Sequence, residues 1–130
     1  MIRTLSCHCG RVRLECNAPL EELVECNCST CARHGLLSWK VKPDQVRLAT
    51  PRVGLSTYQW RDHDGGTHFC PACGTVMSRT GWTYFRLNAR CLDGVDIFTL
   101  PVRRYDGLHD MPADDMPPLV DPEAEAPRKD

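Results

Sequence analysis

No apolar run in this chain approaches the ~20 residues that cross a bilayer. No secretory-type leader pattern opens it, and no long amphipathic helix can be drawn on it. These absences argue against a membrane protein and against an oxidising compartment, so the expected setting is cytoplasmic. A basic surplus is missing too: 16 Lys and Arg face 17 Asp and Glu, the formal net charge is -1, and the pI is near 6.5. That balance lacks the electrostatic footprint of a nucleic-acid binder. Internal repeats are lacking, apart from a recurrence of cysteine clusters.

Cysteine is what the chain has in excess. Nine occur among 130 residues, an odd number that forbids complete internal disulfide pairing. With no secretory pattern, reduced thiols used for metal are the better reading. Otherwise the composition, 42% hydrophobic and 25% charged, is that of one soluble domain with a modest core.

Short strands punctuated by Gly, Pro and Asp point to an all-β fold. Residues 3–16 read as two strands, the second on the alternation of Arg11 to Cys16, with Asn17–Ala18–Pro19 as its breaker. Leu36–Val41, Val46–Leu48, Leu55–Trp60, Thr67–Phe69, Val76–Thr80, Tyr84–Leu87 and Val95–Leu100 are further strand candidates. Ser29 to His34 suits one helical turn, capped by Ser29 and stopped by Gly35. Asp62 to Gly66 reads as an exposed hairpin loop. Residues 110–130, rich in Pro and acidic residues, are expected to form a partly disordered surface tail after a domain spanning 1–109.

Phe69–Cys70–Pro71–Ala72–Cys73–Gly74 has the form of a zinc knuckle. Two cysteines separated by two residues turn both sulfurs toward one ion, about 2.3 Å from each. Cys7–His8–Cys9–Gly10 is the best candidate for the other half, because i, i+2 spacing puts both sulfurs on one side of an extended segment. One ion held by Cys7, Cys9, Cys70 and Cys73 ties the N-terminal hairpin to the middle of the chain and couples metal binding to folding.

Cys26–Asn27–Cys28–Ser29–Thr30–Cys31 gathers three more thiols. Three protein ligands suit a zinc with its fourth position open to water or an external thiolate. Other readings compete. His34 closes the sphere as Cys₃His; or Cys28 and Cys31 form a labile disulfide without metal; or His8, His68 or Cys91 arrives from elsewhere.

In their order, these residues resemble the glutathione-dependent formaldehyde-activating enzyme family, also described as the centromere-protein-V/formaldehyde-activating domain. The resemblance runs over roughly residues 5–108. It rests on Cys7-x-Cys9–Gly10, Cys26–Asn27–Cys28–Ser29-x-Cys31-x-Arg33-x-Gly35, Tyr58-x-Trp60, His68–Phe69–Cys70–Pro71-x-Cys73–Gly74 and Asn88–Ala89–Arg90. It implies a mainly β, Mss4-like fold of small antiparallel sheets stapled by a structural zinc on Cys7, Cys9, Cys70 and Cys73. It also implies a second, more labile zinc on Cys26, Cys28 and Cys31. The implied activity is that of a carbon–sulfur lyase joining formaldehyde or another aldehyde to a small thiol such as glutathione. A non-catalytic zinc module that binds a protein partner is the alternative, and the oligomeric state stays open.

Other residues admit two readings each. Arg90, two positions after Asn88 and so able to share its strand face, suits a glutathione carboxylate, against a plain surface or salt-bridged role. Arg33 carries the same ambiguity. Trp39, Trp60 and Trp82 suit a pocket lining or, more commonly, core. Cys16 and Cys91 lack partner spacing and read as buried small hydrophobes. His63 and His109 sit in polar loops without an assigned role.

Overall fold

The computed structural model describes residues 1–50, 54–59, 65–81 and 85–110. Two sheets carry the architecture. The smaller is built from β1 (Arg3–Ser6), β2 (Arg13–Cys16) and β5 (Val46–Leu48), in the order β1-β2-β5 and antiparallel throughout. The larger joins β3 (Leu23–Cys26), β4 (Leu37–Val41), β6 (Ser56–Tyr58), β7 (Gly66–Phe69), β8 (Val76–Thr80), β9 (Phe85–Asn88) and β10 (Val102–Tyr105). Its order is β10-β3-β4-β9-β8-β7-β6. Every pairing within it is antiparallel except the edge pair of β10 with β3, which is parallel. The helices are short: α1 (Ser29–His34) and α2 (Gly107–Asp110). The mainly β fold class expected from the sequence holds.

The core draws on both sheets. Leu5 and Leu14 are directly opposed on the smaller sheet. They pack in one cluster with Leu23, Leu37, Trp39, Met77 and Leu87 of the larger one. Trp39 is buried, and its indole N–H donates to the Pro19 carbonyl at 2.8 Å, so the one polar atom of the ring is satisfied. A bridge between Leu5 and Leu92, with the Asp93 N–H donating to the Thr4 carbonyl at 2.9 Å, ties β1 to the segment after β9. Cys16 and Cys91 lie in this core.

Two local expectations are corrected. Ser29 is not the helix cap. Cys28 is, its sulfur accepting from the Cys31 N–H at 3.3 Å, while Ser29 is the buried first residue of α1. Val95–Leu100 is not a strand: it holds a 3₁₀ turn, Ile97–Thr99. The Asp96 carboxylate accepts from the Phe98 N–H at 3.0 Å, and the Thr99 hydroxyl donates to the Asp96 carbonyl at 2.6 Å. These local bonds compete with a ladder and win. The strand lies further on, as β10, where Val-Arg-Arg-Tyr is exposed at every position and extends because β3 offers a free edge. Gly35 ends α1 as expected. Trp60, Trp82, His63, most of the expected 62–66 loop and the tail beyond residue 110 lie outside the described residues.

Candidate metal centres

Two turns of the same design build the first cluster. In one, the Cys7 N–H donates to the Val12 carbonyl at 3.0 Å and the Gly10 N–H to the Cys7 carbonyl at 3.1 Å. In the other, the Cys70 N–H donates to the Thr75 carbonyl at 2.9 Å and the Gly74 N–H to the Cys70 carbonyl at 2.9 Å. Gly10 and Gly74 take φ of 80° and 78°, left-handed conformations that a side chain disfavours. A register shift between His68 and Phe69, at the end of β7, immediately precedes the second turn.

The four sulfurs of Cys7, Cys9, Cys70 and Cys73 all lie within 4.8 Å of one another. Cys7 and Cys9 are 3.6 Å apart, and Cys9 and Cys70 3.8 Å. A tetrahedral ion with bonds of about 2.3 Å spaces its sulfurs about 3.8 Å apart, so the donor set fits zinc in number, type and spacing. Polar groups already face the sulfurs. The Val12 N–H donates to Cys7 Sγ at 3.2 Å. The Thr75 hydroxyl accepts from the His8 N–H at 3.2 Å and lies 3.1 Å from Cys73 Sγ, which leaves its own proton for that sulfur. That hydroxyl, with backbone N–H groups, pulls the Cys73 thiol down to about 5. Cys9 behaves oppositely: a hydrogen bond from Arg11 lowers it, but desolvation and the three neighbouring thiols push it up to about 11. Four close thiols cannot all ionise unaided, and a divalent cation is the charge that lets them.

The second cluster sits where β3 runs into α1. Cys26 closes the strand, Cys28 caps the helix and Cys31 lies within it; all three are buried, with sulfurs within 4.8 Å of one another. Leu36 and Val76 pack against them. The Cys28 N–H donates to Cys26 Sγ at 3.4 Å. The Cys31 thiol, hydrogen-bonded to Cys28, brings Cys28 down to about 5, while the same partner and burial drive Cys31 well above the ordinary thiol range. All nine cysteines are free thiols. The chemistry of this donor set is again compatible with zinc.

Among the described residues, no fourth His, Cys, Asp or Glu joins this group. His34 packs edge-on against Tyr58, with centroids 5.7 Å apart, and burial together with the Arg79 charge lowers its pKa. His68 has Thr57 and Thr80 hydroxyls 2.8 Å from its two ring nitrogens. His8 is exposed, and the Cys91 thiol points to the Val76 carbonyl at 3.5 Å.

Arg90 is exposed, on a 3₁₀ turn after β9. It lines a cavity of about 410 Å³ with Leu37, Phe98 and Glu25, which none of the three cysteines lines. Arg33 is exposed and reaches the Ser29 carbonyl of its own helix at 3.3 Å. Asn88, singled out only as the neighbour of Arg90, proves to be a brace. Its side-chain oxygen accepts from the Leu37 and Arg90 N–H groups, each at 3.3 Å, and its amide donates to the Val76 carbonyl at 2.8 Å. Asn27 and the segment Arg104–Tyr105–Asp106 were not foreseen either. With Cys26 they line a cavity of about 470 Å³, and no pattern in Val-Arg-Arg-Tyr-Asp signals it.

Compared with known proteins, residues 2–93 match the family model described as glutathione-dependent formaldehyde-activating enzyme. Among solved structures, the chain is similar to the crystal structure of a Rhodobacter sphaeroides protein determined in a structural genomics programme. The two share 23% identity, with a TM-score of 0.67, over 77% of this chain and 99% of that one. At that identity the likeness speaks to the fold.

Proposed function

Because this chain belongs to the glutathione-dependent formaldehyde-activating enzyme family, we propose that it is a zinc-dependent carbon–sulfur lyase acting on the adduct of a small thiol, glutathione or a relative, with an aldehyde. The unit responsible is residues 1–109, in a cytoplasmic setting that keeps its thiols reduced. Among the described residues, no helix is long and apolar enough to cross a membrane.

Cys7, Cys9, Cys70 and Cys73 take the structural role. Four protein sulfurs fill a tetrahedral sphere and leave no room for a reactant. Cys26, Cys28 and Cys31 take the reactive one. The observation that carries the reading is that this second group stops at three sulfurs among the described residues. When bound there, a zinc ion supplies Lewis-acid chemistry toward a thiol or an aldehyde oxygen. The chain's own contribution is to hold three donors in place with β3 and the first turn of α1, and to keep water from their inner side with Leu36 and Val76.

The reaction balances without a redox partner. The thiol sulfur bonds to the aldehyde carbon, the carbonyl π pair moves to oxygen, and that oxygen ends with the proton that left sulfur. The reverse step breaks the same carbon–sulfur bond.

The test is adduct exchange followed by NMR, with thiol plus aldehyde, for the wild type and Cys28→Ser. The wild type should accelerate exchange, and the variant should lose at least tenfold, about 1.4 kcal/mol of barrier, while keeping its fold by circular dichroism. Equal rates for both proteins, or no acceleration over the uncatalysed reaction, would leave a non-catalytic zinc module as the better reading.

A further inference from the structure

The larger sheet carries three cations in one line, on the face of the second cysteine cluster. Alternation along β3 puts Cys26 on the same face as Val24. Val24 is paired with Ser38 on β4, and Lys40 follows two residues later on that face. Lys40 lies directly opposite Arg86 on β9, and Arg86 directly opposite Arg79 on β8. The line continues through Thr67 to Tyr58. His34 of α1 packs edge-on against Tyr58, so the helix that carries Cys31 stands over this face. The Arg79 charge reaches that helix: together with burial, it lowers the His34 pKa.

Like charges set directly opposite one another destabilise a sheet, and here two such pairs adjoin. The repulsion shows at Lys40, whose pKa is lowered by burial and by the Arg86 and Arg103 charges. Glu22 acts against that shift, but it is paired with Arg103 at 3.1 Å. Among the described residues, no Asp or Glu forms an ion pair with Lys40 or Arg79. Arg79 Nη1 donates to the hydroxyl of buried Thr67 at 2.9 Å. That bond aims the guanidinium and leaves most of its donors over. Ser38 is 1% exposed, and among the described residues its hydroxyl has no hydrogen-bond partner. Ser29 Oγ and His34 Nδ1, both on α1, lack one as well. Buried polar atoms normally find a partner.

We infer that Lys40, Arg86 and Arg79 form a carboxylate subsite beside Cys26, Cys28 and Cys31, and that the carbonyl reactant there is a small aldehyde bearing a carboxylate. Arg79, the cation closest in the line to Tyr58 and α1, offers parallel N–H groups to that carboxylate. Arg86 and Lys40 extend the positive field along the sheet. A thiol brings its own anchor, because sulfur is a strong ligand for the ion that three cysteines suit. A neutral carbonyl brings none, so a charged handle matters more to the aldehyde. The inference rests on the reading of the three cysteines as the reactive site.

The experiment is NMR titration of the zinc-loaded full chain with glyoxylate and with acetaldehyde, its neutral counterpart, followed by exchange of each aldehyde with 2-mercaptoethanol. Glyoxylate should bind about tenfold more tightly than acetaldehyde, roughly 1.4 kcal/mol. Arg79→Gln should weaken glyoxylate by about that factor and raise its KM in step, with acetaldehyde unchanged. Lys40→Gln changes an exposed side chain, which spares the fold, and should weaken glyoxylate about threefold. Arg104→Gln, on the opposite face of the sheet, should match the wild type. Unchanged glyoxylate affinity in both Arg79→Gln and Lys40→Gln overturns the inference. So does an equal loss in Arg104→Gln, which marks attraction by net charge alone. A loss of glutathione in Arg79→Gln with none of glyoxylate overturns it too, by giving the line of cations to the thiol. If exchange is accelerated for acetaldehyde but not for glyoxylate, the lyase reading stands and the inference falls. If glyoxylate binds through Arg79 but neither aldehyde exchanges, the lyase reading fails and the carboxylate subsite stands.

Discussion

If Cys7, Cys9, Cys70 and Cys73 share one ion, replacing Cys70 by Ser removes a cross-link between distant parts of the chain. Cys70 is fully buried, and its sulfur sits 3.8 Å from that of Cys9, 61 positions earlier in the chain. Serine is a poor zinc ligand, so the variant loses the ion's bridge between the N-terminal hairpin and the middle of the chain. Closing a loop of that length restricts the unfolded chain by about 4 kcal/mol in the chain-entropy treatment of a cross-link. The ion's bond energy comes in addition. Against a total stability of about 5–15 kcal/mol for a domain, 4 kcal/mol is a large share. At about 4–6 °C per kcal/mol for a domain this size, the melting temperature should fall by about 15–25 °C. The assay is thermal denaturation by circular dichroism, beside elemental analysis of chelator-free protein. The variant should lose about one zinc per chain relative to the wild type. A melting temperature within a few degrees of the wild type, with metal content unchanged, would refute the argument that these four sulfurs share an ion.

Two further outcomes test the thiol assignments. Cys16 and Cys91 are buried in the core, and desolvation pushes both thiols up to about 11; in native, metal-loaded protein they should resist iodoacetamide at pH 8 until denaturant is added. Peptide mapping that finds either of them labelled before denaturant is added contradicts the packing. Metal uptake should also release protons at pH 7. Cys9 is pushed up to about 11 in the free cluster, so it holds its proton there and must give it up to bind, and affinity must fall as pH falls. Titration calorimetry in buffers of different ionisation enthalpy reads that release, and a binding enthalpy independent of buffer contradicts it.

The parts of the fold legible in the sequence are those whose cause is local. Val46–Leu48 and Val76–Thr80 are strands with the expected bounds, because turn residues punctuate them and β-branched or apolar residues alternate within. The two cysteine turns were legible because spacing alone decides which sulfurs can share an ion. Segments misread or missed were governed by partners elsewhere, or by bonds the residue type does not advertise. Cys28 caps a helix because its sulfur is held next to the Cys31 N–H, a task normally read from a Ser or Asp. Asp96 turns Val95–Leu100 into a 3₁₀ segment. β10 has no alternation of its own and is a strand only because β3 lies alongside. The same dependence explains why Arg90 was singled out and Arg104 was not. Arg90 belongs to a recognisable motif, whereas Arg104 is set opposite Glu25 by a parallel pairing across about 80 residues of sequence, a relation only the fold creates.

The paired cysteine turns carry a consequence for metal choice. Their hydrogen bonds run backbone to backbone, from Cys7 to Val12 and from Cys70 to Thr75, so the jaws of the clamp are shaped before anything enters it. Such a gauge sorts cations by radius and by preferred number of neighbours. An ion with longer bonds to sulfur must spread both jaws and strain two glycine-bearing bends at once. One that favours two or three sulfurs leaves at least one of the four without its partner charge.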